Sequence, residues 1–128
     1  MNIENLNNKQ QEAVLKTEGP LLVLAGAGSG KTKVLTTRIA YLIEEKHIDP
    51  YNILAITFTN KAAKEMKDRT YNLIGEQASS LQISTFHSFG LKIVRENCEL
   101  LGYDHNFVIM DSDDSLTVVK KILKDINK

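Results

Sequence analysis

Apolar positions along the chain fall into two alternating patterns. Leu21-Leu22-Val23-Leu24 is a short continuous run that predicts a buried strand. Val34, Leu35, Ile39, Leu42 and Ile43 then recur at helical spacing up to about Lys46. Ile53-Leu54-Ala55-Ile56-Thr57-Phe58 predicts a second strand, whose near-continuous apolar character fits a parallel sheet covered on both faces. Ala62, Ala63, Met66, Leu73 and Ile74 form the inward stripe of the helix that follows. Leu81 to Thr85 alternates and predicts a third strand, followed by a helix from about His87 to Leu101. Phe107-Val108-Ile109-Met110 predicts a short fourth strand. Leu116, Val119, Ile122, Leu123 and Ile126 put one apolar face on a last helix.

Polar residues, glycine and proline punctuate this pattern. Asn7, with Gln10 three residues later, fits a capping box for a first helix running to about Lys16. Gly19-Pro20 and Asp49-Pro50 mark turns, and Gln77 to Ser80 form a polar loop. Thr59 can cap the third helix, Gly75 and Gly102 can close helices, and Asp111 or Ser112 can cap the last one. Strand and helix alternate, which predicts an α/β fold with a parallel sheet and right-handed crossovers. In such sheets ligands lie outside the carboxyl ends of the strands. The segments after the first three strands are therefore expected to gather on one edge.

Bulk properties narrow the picture. At 128 residues the chain has room for one domain with one core. Its 42% hydrophobic and 25% charged residues are ordinary for a soluble protein. Formal net charge is zero, so any nucleic-acid partner must be met by a local patch rather than by a global field. Cys98 stands alone, which excludes an intrachain disulfide and a cysteine metal cluster and suits a reducing cytosol. Met1-Asn2-Ile3-Glu4 lacks the basic start and apolar stretch of a signal peptide. No apolar run approaches the roughly 20 residues needed to cross a bilayer. A cytoplasmic protein without a membrane partner is expected.

The segment after Leu24 carries the chemistry. Ala25-Gly26-Ala27-Gly28-Ser29-Gly30-Lys31-Thr32 is a glycine-rich turn between a predicted strand and a predicted helix. Glycines permit the curvature and positive φ of a loop whose N–H groups converge on an anion. The helix then offers its positive end to the same anion. Lys31 can reach terminal phosphates, and the Thr32 hydroxyl is placed to ligate Mg²⁺. Ala25 occupies the position where this pattern usually opens with glycine. The plain alternative is a glycine-rich turn with a surface lysine.

Two further strand ends mirror each other. Phe58-Thr59-Asn60-Lys61 and Thr85-Phe86-His87 put a ring beside polar groups where a helix begins, a combination that can stack a base and hold a phosphate. Spacing alone favours the plainer reading, with Phe58 and Phe86 in the core, Thr59 only a cap and His87 a surface residue. Asp111-Ser112-Asp113-Asp114 could form an acidic Mg²⁺ site or simply cap the last helix. Lys61, Lys64, Lys67 and Arg69 are interrupted by Glu65 and Asp68, as on a solvated mixed-charge face.

Taken in order, these segments resemble a family. Leu6-Asn7 with Gln10 and Ala13, then Leu24 to Thr32, Ala55 to Ala63 with Glu65-Met66, and Ser84 to Ser88 look like the amino-terminal part of UvrD/Rep/PcrA-type superfamily one DNA helicases. The resemblance covers the whole chain. It implies a P-loop NTPase, RecA-like three-layer fold, with residues 1–110 a partial motor domain and 111–128 the start of an inserted helical subdomain. It implies ATP and Mg²⁺ as cofactors. Gln10 would hydrogen-bond adenine, and Ala25 to Thr32 would hold the triphosphate. Lys33 takes a position where relatives often carry arginine. Thr57 to Asn60 and Thr85 to His87 would touch single-stranded DNA, and single/double-strand junctions would be substrates. Asp111 would be a helix cap, with the metal-binding Asp-Glu pair, the catalytic glutamate, the phosphate-sensing arginines and a second motor domain further on. The expected activity of the whole protein is ATP-driven 3′-to-5′ translocation and unwinding, in replication, repair or recombination. The competing readings are a self-contained phosphotransferase using Asp111 or Asp113 as metal ligand, and a non-enzymatic nucleotide-gated binding module.

Overall fold

A computed structural model describes residues 3–127. It is a mixed α/β structure in two compact units, Met1–Gly90 and Leu91–Lys128. Among the described residues, five α-helices and two strands follow in the order α1 (Asn8–Leu15), α2 (Lys31–Glu44), β1 (Leu54–Thr57), α3 (Asn60–Ile74), β2 (Gln82–Thr85), α4 (Phe86–Glu96) and α5 (Ser112–Ile126). Short 3-10 turns occupy Pro50–Asn52, Gly75–Ser80 and Cys98–Leu101.

In the first unit, β1 and β2 pair in parallel, with Leu54 opposite Gln82 and Thr57 opposite Thr85. The crossover between them is α3. Alternation puts Ala55 and Thr57 of β1 and Ile83 and Thr85 of β2 on the buried face. Ala55 and Ile83 join a core with Ile39, Ala40 and Ile43 of α2, Ala63, Met66 and Ile74 of α3, and Leu81. A second cluster of Leu6, Ala13, Val14 and Val34 fastens α1 to α2. Gly75 ends α3 at φ +64°, a backbone that a β-carbon would strain.

Four expectations are corrected. Leu21–Leu24 has no strand partner among the described residues and is exposed, with Leu22 and Leu24 more than four-fifths open to solvent. Phe107–Met110 likewise is not a strand. A β segment is defined by a neighbour that takes its N–H and C=O groups, and the sheet here holds β1 and β2. The second face of the sheet is only partly covered, with Leu54 of β1 exposed and Ile56, Gln82 and Ser84 half-buried. The helix expected through Leu101 stops at Glu96 and continues as the 3-10 turn Cys98–Leu101, closed by Gly102 at φ +75°. Smaller differences concern the stripes. Leu73 and Leu35 face outward, and Thr70 instead fills the buried side of α3, its hydroxyl donating to the Met66 carbonyl.

In the second unit, Cys98 is fully buried and the Cys98 thiol lies 3.2 Å from His105 Nδ1. Arg95 stacks its guanidinium 5.0 Å from the Phe107 ring centroid. Leu116, Val119, Ile122, Leu123 and Ile126 of α5 all remain at least half exposed. Among the described residues no helix is long and apolar enough to cross a membrane.

Candidate nucleotide and nucleic-acid site

The glycine-rich turn, both strand ends, α2, α3 and the start of α4 (residues 86–90) lie in the first unit. How the five described α-helices begin separates one from the rest. In α1, Asn7 Oδ1 accepts the Gln10 N–H at 2.9 Å. In α3, Thr59 Oγ1 accepts the Ala62 N–H at 3.1 Å, and in α4 Thr85 Oγ1 accepts the Ser88 N–H at 3.1 Å. In α5, Asp111 Oδ1 accepts the Asp114 N–H at 2.8 Å. Each thereby satisfies one of the amides that a helix start leaves without an intrahelical partner. Helix α2 opens at Gly30, which has no side chain to offer and stands at φ +81°. Its first-turn amides and its positive dipole end are left to whatever approaches the loop.

The loop itself is tightly folded. Ser29 N–H and Ser29 Oγ both donate to the Gly26 carbonyl, at 3.3 and 2.6 Å. Gly28 and Gly30 take the left-handed conformations this turn requires, at φ +72° and +81°. Gly26 and Ala25 do not need positive φ, so alanine at the loop's first position fits. Lys31 Nζ donates to the Ala25 and Gly26 carbonyls at 3.1 and 2.8 Å. The ammonium is thus held over the mouth of the loop, and it remains exposed. Thr32, the second helical residue, is half-buried one position further on.

Gln10 reaches this loop from α1. Its Nε2 donates to the Ser29 carbonyl at 3.0 Å, while its Oε1 accepts the Asn7 N–H at 2.9 Å. Lys33 Nζ donates to the Asn5 carbonyl at 3.1 Å, tying α2 to the chain before α1. Arg38 of α2 donates to the Ala13 carbonyl. A cavity of about 540 Å³ opens between α1, α2 and residues 21–25, walled by Ala13, Leu21, Val23 and Val34 with Gln10 and Lys31 among its polar lining. That volume lies within the usual range for small-molecule pockets.

The second group of residues meets at the carboxyl end of the sheet. Thr57 and Thr85 are register partners, and the next residues, Phe58 and Phe86, bring their ring centroids within 5.9 Å at a 50° tilt. Phe58 is 91% exposed and Phe86 60%. Both rings lie outside the core, so spacing alone misplaces them. Thr57 and Thr85 are themselves buried, and they spend their hydroxyls locally. Thr57 Oγ1 donates to the Thr59 carbonyl at 3.0 Å, and Thr85 Oγ1 pairs with Ser88 Oγ at 3.0 Å. Asn60, Lys61 and His87 are exposed around the ring pair.

Asp111 and Asp114 complete a reciprocal capping box, since Asp114 Oδ2 also accepts the Asp111 N–H at 3.4 Å. Among the described residues no three His, Cys, Asp or Glu side chains group to hold a metal ion. Sequence reasoning missed the Gln10–Ser29 and Lys33–Asn5 contacts. They join residues 19 and 28 positions apart, and no local spacing signals them.

Comparison with known proteins gives this arrangement its family. Residues 6–128 match the UvrD/REP helicase N-terminal domain. The chain is 57% identical over 125 residues to the ATP-dependent DNA helicase PcrA of Staphylococcus epidermidis. It is 54% identical over 125 residues to the protein of the same name from Staphylococcus aureus. Each match covers 98% of this chain and 17% of the helicase, so the chain spans about a sixth of the length of these relatives. The chain belongs to the UvrD/REP helicase N-terminal domain family and corresponds to the amino-terminal part of a PcrA-type helicase.

Proposed function

We propose that this chain is the ATP-binding entry to a longer, ATP-dependent DNA helicase that moves 3′ to 5′ along single-stranded DNA. Its work belongs to replication, repair or recombination in the cytoplasm. Single-stranded DNA and its junctions with duplex are its substrates. Residues 1–110 form part of a RecA-like, three-layer motor domain, and 111–128 begin an inserted helical subdomain. A second motor domain and the carboxylates that complete catalysis lie in the remainder of the protein.

The observation that carries this reading is the open amino end of α2 behind a glycine-rich loop, where every other described helix closes its own. A triphosphate supplies the acceptors that these amides lack. Gly26 to Lys31 would cradle it and Lys31 would neutralise its outer oxygens. Thr32 offers one hydroxyl to Mg²⁺, whose other ligands would be phosphate oxygens and water. When bound, MgATP supplies the phosphoryl group whose hydrolysis drives the motor. Gln10 faces the base, because an amide presents a donor and an acceptor side by side. Lys33 would add its charge to the same site, while its ammonium also ties α2 to the chain before α1 through the Asn5 carbonyl.

The Phe58–Phe86 pair is the base-stacking platform, with Thr59, Asn60 and His87 toward the DNA backbone. Thr57 and Thr85 hold the turns that aim the rings. Electrostatic stabilisation of the transferring phosphoryl group is the largest catalytic term, and an arginine finger alone contributes roughly 10³ to 10⁵ in rate. The 128-residue chain by itself should therefore bind nucleotide weakly and hydrolyse it negligibly. The test is hydrolysis by the full-length protein with and without single-stranded DNA. Stimulation by DNA that is lost in Lys31→Ala is expected. Phosphate transfer to a small acceptor by this chain alone, abolished in Asp111→Asn, would overturn the assignment.

A further inference from the structure

We propose that Gln10 is a positioning residue for the phosphate loop as well as a contact for the base, so that one amide links the two halves of the nucleotide site. The proposal deepens the ATP-binding reading and rests on it.

A glutamine amide carries two N–H donors and an oxygen with two lone pairs. Here one donor goes to the Ser29 carbonyl at 3.0 Å and one lone pair takes the Asn7 N–H at 2.9 Å. One donor and one lone pair of the same group are left for a base. The Ser29 contact is no surface accident. Ser29 is the residue whose N–H and hydroxyl both fold onto Gly26, and Gly26 is a carbonyl that Lys31 grips. Gln10 therefore holds the far end of a chain of contacts that runs through Ser29 and Gly26 to Lys31. A β-carbon at Gly30 would come within 3.2 Å of Gln10 Nε2, so the glycine at this place also makes room for the pin.

The pin reduces the freedom of a loop that otherwise contacts its own atoms, and a loop held in shape loses less entropy on binding an anion. A base that takes the remaining donor and lone pair fixes the amide more firmly and stiffens the pin. Base and phosphate then bind cooperatively through Gln10.

Inorganic tripolyphosphate separates the two roles, because it has no base to read. The experiment is calorimetry of the full-length protein and its Gln10→Leu variant with ATP and with tripolyphosphate, together with hydrogen exchange of the loop amides in ligand-free protein. Tripolyphosphate affinity should fall roughly fivefold in Gln10→Leu, the scale of one net hydrogen bond. ATP affinity should fall further, and exchange at Ser29 and Gly30 should speed up. Asn7→Gly removes the Asn7 cap yet keeps Gln10, and tripolyphosphate affinity should be retained. A loss confined to ATP makes Gln10 a base reader only and overturns the proposal. So does an Asn7→Gly variant that loses tripolyphosphate as Gln10→Leu does, since the effect then belongs to the start of α1. Tripolyphosphate binding that survives Lys31→Ala would instead refute the phosphate loop itself.

Discussion

Helices α2 and α3 begin in similar sequence settings and end up with opposite chemistry. Each follows an apolar run, and each has a lysine in its first two positions. At α3, Thr59 closes the helix with its own hydroxyl, and the preceding ring, Phe58, is thrown out into solvent. At α2, Gly30 closes nothing, and the preceding loop turns its carbonyls onto Lys31. A capped start meets part of its own need with its own side chain. An uncapped start with a folded loop before it is completed by a ligand. The difference lies in one side chain, hydroxyl against hydrogen, and it divides the proposed work into ring stacking at one end and anion holding at the other.

The largest effect that can test this division is at Lys31. Lys31→Ala should lower triphosphate affinity at least about 100-fold in calorimetry, from the loss of charge-assisted contacts worth about 1.5–3 kcal/mol each. The fold should survive, because the side chain is exposed. Unchanged affinity would mean that the open end of α2 is not where the anion binds. Next is Phe58→Ala, expected to weaken single-strand binding by the full-length protein by about 1–3 kcal/mol, the range for one lost stacking platform. Its thermal stability should hardly change, since the ring is 91% exposed. A large stability loss with intact DNA binding would return the ring to a structural role.

How much of this was legible in sequence differs between local and distant features. Caps at Asn7, Thr59 and Asp111 and the closing glycines Gly75 and Gly102 were all readable, because each depends on residues three or four positions apart. β1 and β2 were readable because their pattern and their pairing agree. Leu21–Leu24 has the same apolar signature as β1 but no paired neighbour among the described residues, and apolar character alone does not supply one. The glycine-rich loop was legible as chemistry, since its residue types state what its backbone can do. The exposure of Phe58 and Phe86 was not. It follows from two parallel strands ending in register at Thr57 and Thr85, which no single segment encodes. The Gln10 pin was hidden for the same reason.

A smaller effect is expected at Gly30. An L-residue in a left-handed conformation costs roughly 1–2 kcal/mol, and Gly30 stands at φ +81°. Gly30→Ala should therefore lower stability by about that amount in denaturant titration. It should also weaken triphosphate binding, because the new β-carbon would press on Gln10 Nε2 at 3.2 Å. A variant as stable as the parent would show that the loop relaxes without cost, and the contrast with Thr59 would lose its conformational basis.

The smallest effect sharpens the comparison most. Thr59→Ala deletes the hydroxyl that accepts the Ala62 N–H and should cost about 1 kcal/mol of stability, the usual loss for a cap. Triphosphate affinity should not move, because the proposed anion site is the start of α2 and not that of α3. Single-strand binding should fall only modestly, since the Thr59 carbonyl takes the Thr57 hydroxyl regardless of the side chain and so keeps the turn that carries Phe58. Melting curves and two titrations on one variant thus separate the helix starts. A stability loss without change in triphosphate affinity keeps α2 and α3 distinct. A parallel fall in triphosphate affinity would mean that the two ends act as one site, and the division between closed and open helix starts would fail.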